Sequence, residues 1–338
     1  MADPDILARP DDDTVRAALR SASRAPSVHN TQPWQWTLDD VALHLDYDDV
    51  WQLSTADPRG RQMIISCGAA LHHARTALAD RGWRTEVTRM PDPEHPEHLA
   101  TLRFRPWSDP PAGVHTRAAA MTRRWTDRLP MLPPPGPADL LHRLRMLASP
   151  HEVELNELDS SAGPRLAAAS ARVAILHDSD LDYQAELHWW VGHDGDTGVP
   201  VGALASDAQA AGVPLGRRFP AAPHSARRTE QPDQAAIIVL STDGDRPGQW
   251  LRTGEALSAV LLECAAAGAA SCTLTHLTEL PAVRTMIAGL LRRGGTPQVL
   301  VRVGTAPDSR HEPTARRDLA DILTIDRGHT VRTGRTPR

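Results

Sequence analysis

The alternation of apolar and polar positions divides the chain into two runs of elements separated by proline-rich breaks. Val15, Ala18, Leu19 and Ala22 recur at the spacing of one helix face, and Asp13 or Thr14 is placed to cap a helix reaching about Arg24. Residues 34–38 and 41–47 alternate with period two around Asp39-Asp40, the pattern of a β-hairpin. A turn at Asp57-Pro58-Arg59-Gly60 precedes a helix over 63–81, closed by Gly82 as its C-terminal cap. A short strand over 102–104 ends at Pro106, and Asp109-Pro110-Pro111 reads as a linker.

The second run opens with a helical turn bearing Arg123, Arg124, Trp125, Thr126, Asp127 and Arg128, broken by the prolines at 133–135. Helices are expected over 138–148, 164–177 and 182–191, with a strand over 153–158. Residues 192–232 are rich in Gly, Pro and Ala and lack periodicity, a length that points to a functional flap. A strand over 235–240, helices over 254–268 and 281–292 and a strand over 298–303 lead to Arg316-Arg317. The two runs share a repeat. Gly68-Ala69-Ala70-Leu71 and Gly254-Glu255-Ala256-Leu257 each open a helix body that ends at a glycine fourteen residues on, Gly82 and Gly268. Two fused copies of one α+β unit is the favoured reading, with chance similarity between Ala-rich helices as the alternative.

Composition narrows the classes. At 338 residues, 41% hydrophobic and 23% charged, the chain has ample core for a globular protein. A net charge of −5 gives no reason to expect nucleic acid or an acidic membrane surface as partner. With no basic-then-apolar leader and no apolar run of about 18 residues, no membrane span is expected and the cytoplasm is the expected location. Cys67, Cys264 and Cys272 read as small buried hydrophobes. All 37 basic residues are arginine, so lysine Schiff bases, a lysine base and a Walker A loop are excluded. His72 and His73 are expected to face different sides of a helix, and His188 and His193-Asp194 lack partners at ligand spacing, so no zinc site is expected. No G-x-G-x-x-G follows a strand and no G-x-S-x-G elbow occurs. Trp34 and Trp36 read as core.

Two features carry candidate chemistry. In residues 25–34, two prolines hold Ser27, Asn30, Thr31 and Gln32 on a stiff extended turn able to read a small polar ring system; a plain helix exit is the alternative. Arg123, Arg124 and Arg128 surround Thr126, and Arg316-Arg317 form a distant second pair. A phosphate monoester carries roughly two negative charges. Guanidinium forks match it bidentately, each charge-assisted bond contributing about 1.5–3 kcal/mol. Solvated surface charge is the alternative for either cluster.

The stretch Ala25-Pro26-Ser27-x-x-Asn30-x-Gln32-Pro33-Trp34 resembles the flavin-binding loop of the nitroreductase superfamily. Arg124 to Arg128 is similar to that family's arginine turn, and Arg316-Arg317 followed by Asp318-Leu319 to its C-terminal phosphate-binding arginine. Asp57-Pro58-Arg59-Gly60-Arg61-Gln62, together with Ile65-Ser66-Cys67-Gly68-Ala69-Ala70-Leu71, resembles the Acg-type branch, in which one polypeptide is similar to two nitroreductase units in tandem. The resemblance covers residues 13–325. It implies an α+β fold, a pseudo-dimer with mixed, mainly antiparallel sheets flanked by helices. Residues 1–12 would be a loose tail, 13–112 the first unit and 113–330 the second, with 192–232 as an inserted lid.

It also implies FMN as cofactor. Ser27 and Asn30 would meet the isoalloxazine edge, with Pro26 and Gln32 in the same cofactor-binding loop and Arg128 near the N1–O2 edge. Arg124 and Thr126 would serve ribityl and phosphate, Arg123 would also bind the cofactor, Arg316 and Arg317 would be the C-terminal phosphate-binding arginines, and Thr275, His276 and Leu277 would bring backbone to N5. The first half has the loop without an arginine turn, and the second has the arginine turn but reads Ala148-Ser149-Pro150-His151-Glu152 where the loop belongs. One site per chain is therefore expected, and internal fusion removes the need for a homodimer. The implied activity is an NAD(P)H-dependent oxidoreductase acting on nitro or quinone-type aromatic acceptors. A flavin-sequestering protein with a lid and little turnover is the alternative.

Overall fold

The computed structural model describes residues 9–192, 195–220, 222–223, 225, 227–308 and 314–327. Most of the expected tail, together with His193-Asp194 and Ala221, His224 and Ala226 of the expected lid, lies outside the described residues.

Helix α1 (Asp12–Ala22) leads through the proline loop into the hairpin β1 (Trp34–Leu38) and β2 (Ala42–Tyr47), then α2 (Arg61–Asp80), β3 (Trp83–Arg89) and β4 (His98–Pro106). After α3 (Ala112–Ala120) come α4 (Pro137–Ala148), β5 (Glu154–Glu157), α5 (Gly163–Asp178), α6 (Leu181–Trp190) and the short α7 (Asp207–Ala211). The chain closes with β6 (Ala236–Thr242), α8 (Pro247–Ala266), β7 (Ala270–Leu274), α9 (Pro281–Ala288), β8 (Thr296–Gly304), α10 (Leu319–Ile322) and β9 (Leu323–Ile325). Two sheets result, ordered β3-β4-β2-β1-β9 and β5-β6-β8-β7. All pairings are antiparallel except β1 with β9, which are parallel. The fold is α+β, as expected. Strand β9 returns to the first sheet and pairs with β1 of the hairpin.

At the centre α2 and α8, each twenty residues long, pack against one another. Both are apolar on almost every face, as a helix enclosed by other elements must be. The repeat's two glycines meet at their crossing. A Cβ on Gly68 would lie 2.1 Å from the carbonyl oxygen of Leu251, and one on Gly254 would lie 2.0 Å from that of Ile65. Leu251 precedes Gly254 by three residues as Ile65 precedes Gly68, so the contact is reciprocal, as across a twofold interface. Each glycine is the eighth residue of its helix rather than its opening, because α8 begins at Pro247.

Several local expectations change. The cap of α1 is Asp11, which accepts from the Thr14 backbone N–H at 2.6 Å. Residues 124–128 are not helical, since Thr126 forms a parallel bridge to Ser271 of β7. His72 and His73 do not point apart: both Nδ1 atoms lie 2.7 Å from the Ser258 hydroxyl, which sits between them on α8. Trp34 and Trp36 are core, and all three cysteines are free and buried. Among the described residues no helix is long and apolar enough to cross a membrane, and no cluster of His, Cys, Asp or Glu is placed to hold a metal.

Candidate functional site

The loop after α1 is strained. His29, Asn30 and Gln32 have φ of 45°, 58° and 53°, in the left-handed region. Such residues cost about 1–3 kcal/mol each and persist where surroundings hold them, although Asn and His tolerate the region better than most. Here the surroundings are hydrogen bonds from distant segments. Val28 N–H donates to Ser66 Oγ (3.1 Å) on α2, and Gln32 N–H to Ser27 Oγ (3.0 Å). Asn30 Nδ2 donates to the carbonyls of Gly198 (3.0 Å) and Ala315 (3.2 Å), and Gln32 Nε2 to that of Asp196 (2.8 Å).

This loop forms one wall of a cavity of about 1510 Å³, beyond the roughly 300–1,000 Å³ of ordinary small-ligand sites. Pro26, Ser27, Asn30, Arg124, Thr126, Arg128, Thr275, His276 and Arg316 all line it. Four expected site residues do not. Arg123 is exposed, and Leu277 is wholly buried in the core of the second sheet. Gln32 and Arg317 stand behind the loop and hold each other. Arg317 N–H donates to Gln32 Oε1 (3.0 Å), its Nη1 donates to the Gln32 carbonyl (2.9 Å), and its guanidinium stacks on Trp51. They brace the site from outside.

At one end of the cavity three arginines converge. Arg124 Nη2 (3.0 Å) and Arg316 Nη2 (3.4 Å) both donate to the carbonyl of Arg24, and Arg316 Nε donates to that of Ser23 (2.8 Å). Among the described residues none of the three has a carboxylate partner, and the buried Nε atoms of Arg24 and Arg124 donate to nothing. Burial and the nearby Arg24 hold Arg124 down to about 10, and burial with Arg124 and Arg24 holds Arg316 down to about 9. Arg124 and Arg316 stay cationic at neutral pH with like charges packed; Arg316 Nη1 donates to the carbonyls of Thr314 (3.0 Å) and Ala315 (2.9 Å), so the spare donors lie on Arg24 and Arg124. That is the electrostatic description of an anion seat. Arg24 was not apparent as a site residue from the sequence; its only signal is its place between the last turn of α1 and Pro26.

Two buried histidines face the cavity. His29, 8% exposed, has no hydrogen-bond partner at either ring nitrogen among the described residues, and burial with the cations Arg217 and Arg128 holds it well below its usual value. His276 Nε2 lies 3.2 Å from Ser170 Oγ, with Nδ1 unpartnered, and burial keeps it neutral too. Nothing in the motif's pattern marked His29, which occupies one of its variable positions.

The segment between Val199 and Arg228 lines another wall through residues that include Ala203, Arg217, Phe219 and Arg228. It is pinned by Arg128 Nη1 to the Ala203 carbonyl (3.0 Å) and by Arg228, which bonds Asp127 (2.9 Å) and Asp308. Arg217 pairs with Glu279 and with the Tyr183 hydroxyl, and reaches Thr275 Oγ1 (3.2 Å).

The chain is 41% identical over 319 residues, 93% of its length and 96% of the relative's, to a Mycobacterium tuberculosis protein provisionally named NAD(P)H nitroreductase Acg. An uncharacterised protein of that organism is 41% identical over 323 residues (92% and 93% of the two chains), and a second provisionally named NAD(P)H nitroreductase is 39% identical over 321 (93% and 92%). Among solved structures, an FMN and NADPH-dependent nitroreductase, NfnB, from Sphigopyxis sp. strain HMH matches at 17% identity and TM-score 0.41 over 62% of this chain and 97% of its own. A provisionally named nitroreductase from Anabaena variabilis matches at 10% identity and TM-score 0.44 over 88% and 90%. No protein-family model matches. On the sequence relatives, the chain belongs to the nitroreductase family, in its Acg-type branch.

Proposed function

We propose that this nitroreductase-family chain binds one FMN in the cavity between its two halves and acts as an NAD(P)H-dependent oxidoreductase on small aromatic nitro or quinone compounds. The observation that carries the reading is the three-arginine cluster, which has no carboxylate partner among the described residues and whose spare donors, on Arg24 and Arg124, suit a phosphate monoester. Arg24, Arg124 and Arg316 hold the phosphate, with Thr126 beside them. Pro26, Ser27 and Asn30 form one wall of the ring compartment, with Arg128, Thr275 and His276 on the others. Flavin, once bound, supplies the hydride chemistry, while the protein supplies position, charge and exclusion of water. The strained loop presents its groups without reorganising, because its polar atoms are already tied to residues 66, 198 and 315.

The crossing helices support a single site. Where α2 carries Gly68-Ala69, α8 carries Gly254-Glu255, and the wholly buried Glu255 carboxylate is held by Arg89 Nε (2.6 Å) and Arg75 Nη1 (2.8 Å). Glu255 fills its side of the crossing with an internal anion. The reading thus treats the chain as two units of which one pairing is retained.

A second reading, sequestration of flavin with little turnover, is favoured by one observation: residues 199–228 wall the cavity and are latched by Arg228 to Asp127 and Asp308. Anaerobic mixing of the flavin-loaded protein with NADPH or NADH separates the two. Rapid loss of the oxidised flavin absorbance supports turnover; no loss, with dithionite still effective, supports sequestration.

A further inference from the structure

The anion seat leaves much of the cavity unassigned. Around Phe219 three groups gather that no described residue engages fully, one of them Arg128, which also faces the ring compartment. The Arg128 guanidinium lies over the Phe219 ring (5.3 Å to its centroid), and the His29 ring meets the same phenyl edge-on, 5.9 Å between centroids. Arg128 gives one hydrogen bond, to the Ala203 carbonyl, and has no carboxylate partner among the described residues. Its neighbour Arg217 is neutralised by Glu279. His29 brings one N–H and one lone pair, both unpartnered and nine-tenths buried. Leaving such groups unmet costs stability, and their chemistry is complementary to one kind of ligand. A cation with spare donors suits a negative charge, an aromatic face suits a planar ring, and a neutral imidazole suits a polar ring substituent.

We propose that His29, Arg128 and Phe219 form an acceptor subsite for a planar aromatic compound carrying a negative charge, such as an arene carboxylate or phenolate. The cavity volume allows it to be filled beside a cofactor. The subsite deepens the flavin reading, in that it places a redox partner next to the ring compartment, but its own ligand is recognised by these three residues.

The test measures binding of 4-nitrobenzoate and of neutral nitrobenzene by calorimetry, with bound flavin followed separately by visible absorbance. The wild-type protein should bind nitrobenzoate about tenfold or more tighter than nitrobenzene, the effect of one charge-assisted contact. His29→Asn, which tolerates the left-handed backbone, and Phe219→Leu should each weaken nitrobenzoate by about tenfold and keep the flavin. Equal affinity for the two probes overturns the subsite, as does unchanged nitrobenzoate binding in both variants with flavin retained, and either result leaves the flavin reading standing. A wild-type protein that takes up no flavin overturns the flavin reading, and nitrobenzoate binding to that colourless protein still judges the subsite.

Discussion

Replacing Arg124 by Met should stabilise the ligand-free protein and weaken its hold on FMN. Arg124 is 8% exposed, has no carboxylate partner among the described residues, and is held well below its usual value, to about 10, by burial and Arg24. That depression corresponds to about 3 kcal/mol of unfavourable charge burial. Against it stands one hydrogen bond, to the Arg24 carbonyl at 3.0 Å, of about 1.5 kcal/mol. A thioether of similar reach removes both, for a net gain of about 1–2 kcal/mol, or about 2 °C in Tm for a chain of this length. With FMN that gain is offset. Loss of one charge-assisted bond to phosphate weakens binding about 10- to 100-fold. At a free FMN concentration one hundred times the wild-type Kd, the ligand adds about 2.7 kcal/mol to wild-type stability; a thirtyfold weaker variant gains about 0.9 kcal/mol and so ends about level with the wild type. Differential scanning fluorimetry with and without FMN reads both terms. A variant less stable than wild type without ligand, yet showing the wild-type shift with FMN, would refute the anion seat.

The helix crossing gives a steric test: Gly254→Ala places a Cβ 2.0 Å from the Ile65 carbonyl and should cost about 3 kcal/mol or more in denaturant titration, lowering flavin content as the halves separate. Gly163→Ala, with nothing near its Cβ, should be neutral. Glu255→Ala leaves Arg75 and Arg89 facing a buried void and should destabilise by about 3–5 kcal/mol; a change below about 1 kcal/mol in urea unfolding would count against the internal anion. Acid should unfold the protein. His29, His73 and His276 are buried and held well below 6.5 in the fold, so the unfolded chain takes up their protons first. Stability is full above about pH 6.5 and falls as pH drops, by about 4 kcal/mol for the three at pH 5.5. Equal urea midpoints at pH 7.5 and 5.5 would contradict this.

What the sequence made legible was local. The β1–β2 hairpin, the close of α2 at Gly82 and the stiffness of the Pro26–Pro33 loop all follow from short-range chemistry, and the repeat's glycines turned out to be the contact point of two helices. Other elements depend on partners far along the chain. The edge strand β3, Trp-Arg-Thr-Glu-Val-Thr-Arg, exposes its alternate charged positions and carries little apolar signal. The three-residue β9 exists because β1 offers an edge. The anion seat was half visible, as Arg124 and Arg316. Arg24 joins them only because the end of α1 meets segments a hundred and nearly three hundred residues away. Arg317, equally basic and adjacent to Arg316, instead stacks on Trp51, a distinction that local pattern does not carry. His72 and His73 share Ser258 for the same tertiary reason.

The central claim is one flavin seat per chain, formed where Arg24, Arg124 and Arg316 meet the Pro26–Asn30 loop. Reconstituting the purified protein with excess FMN, removing unbound flavin and measuring the ratio of flavin released on denaturation to protein tests it directly. One FMN per chain is predicted; none, or two, would contradict it.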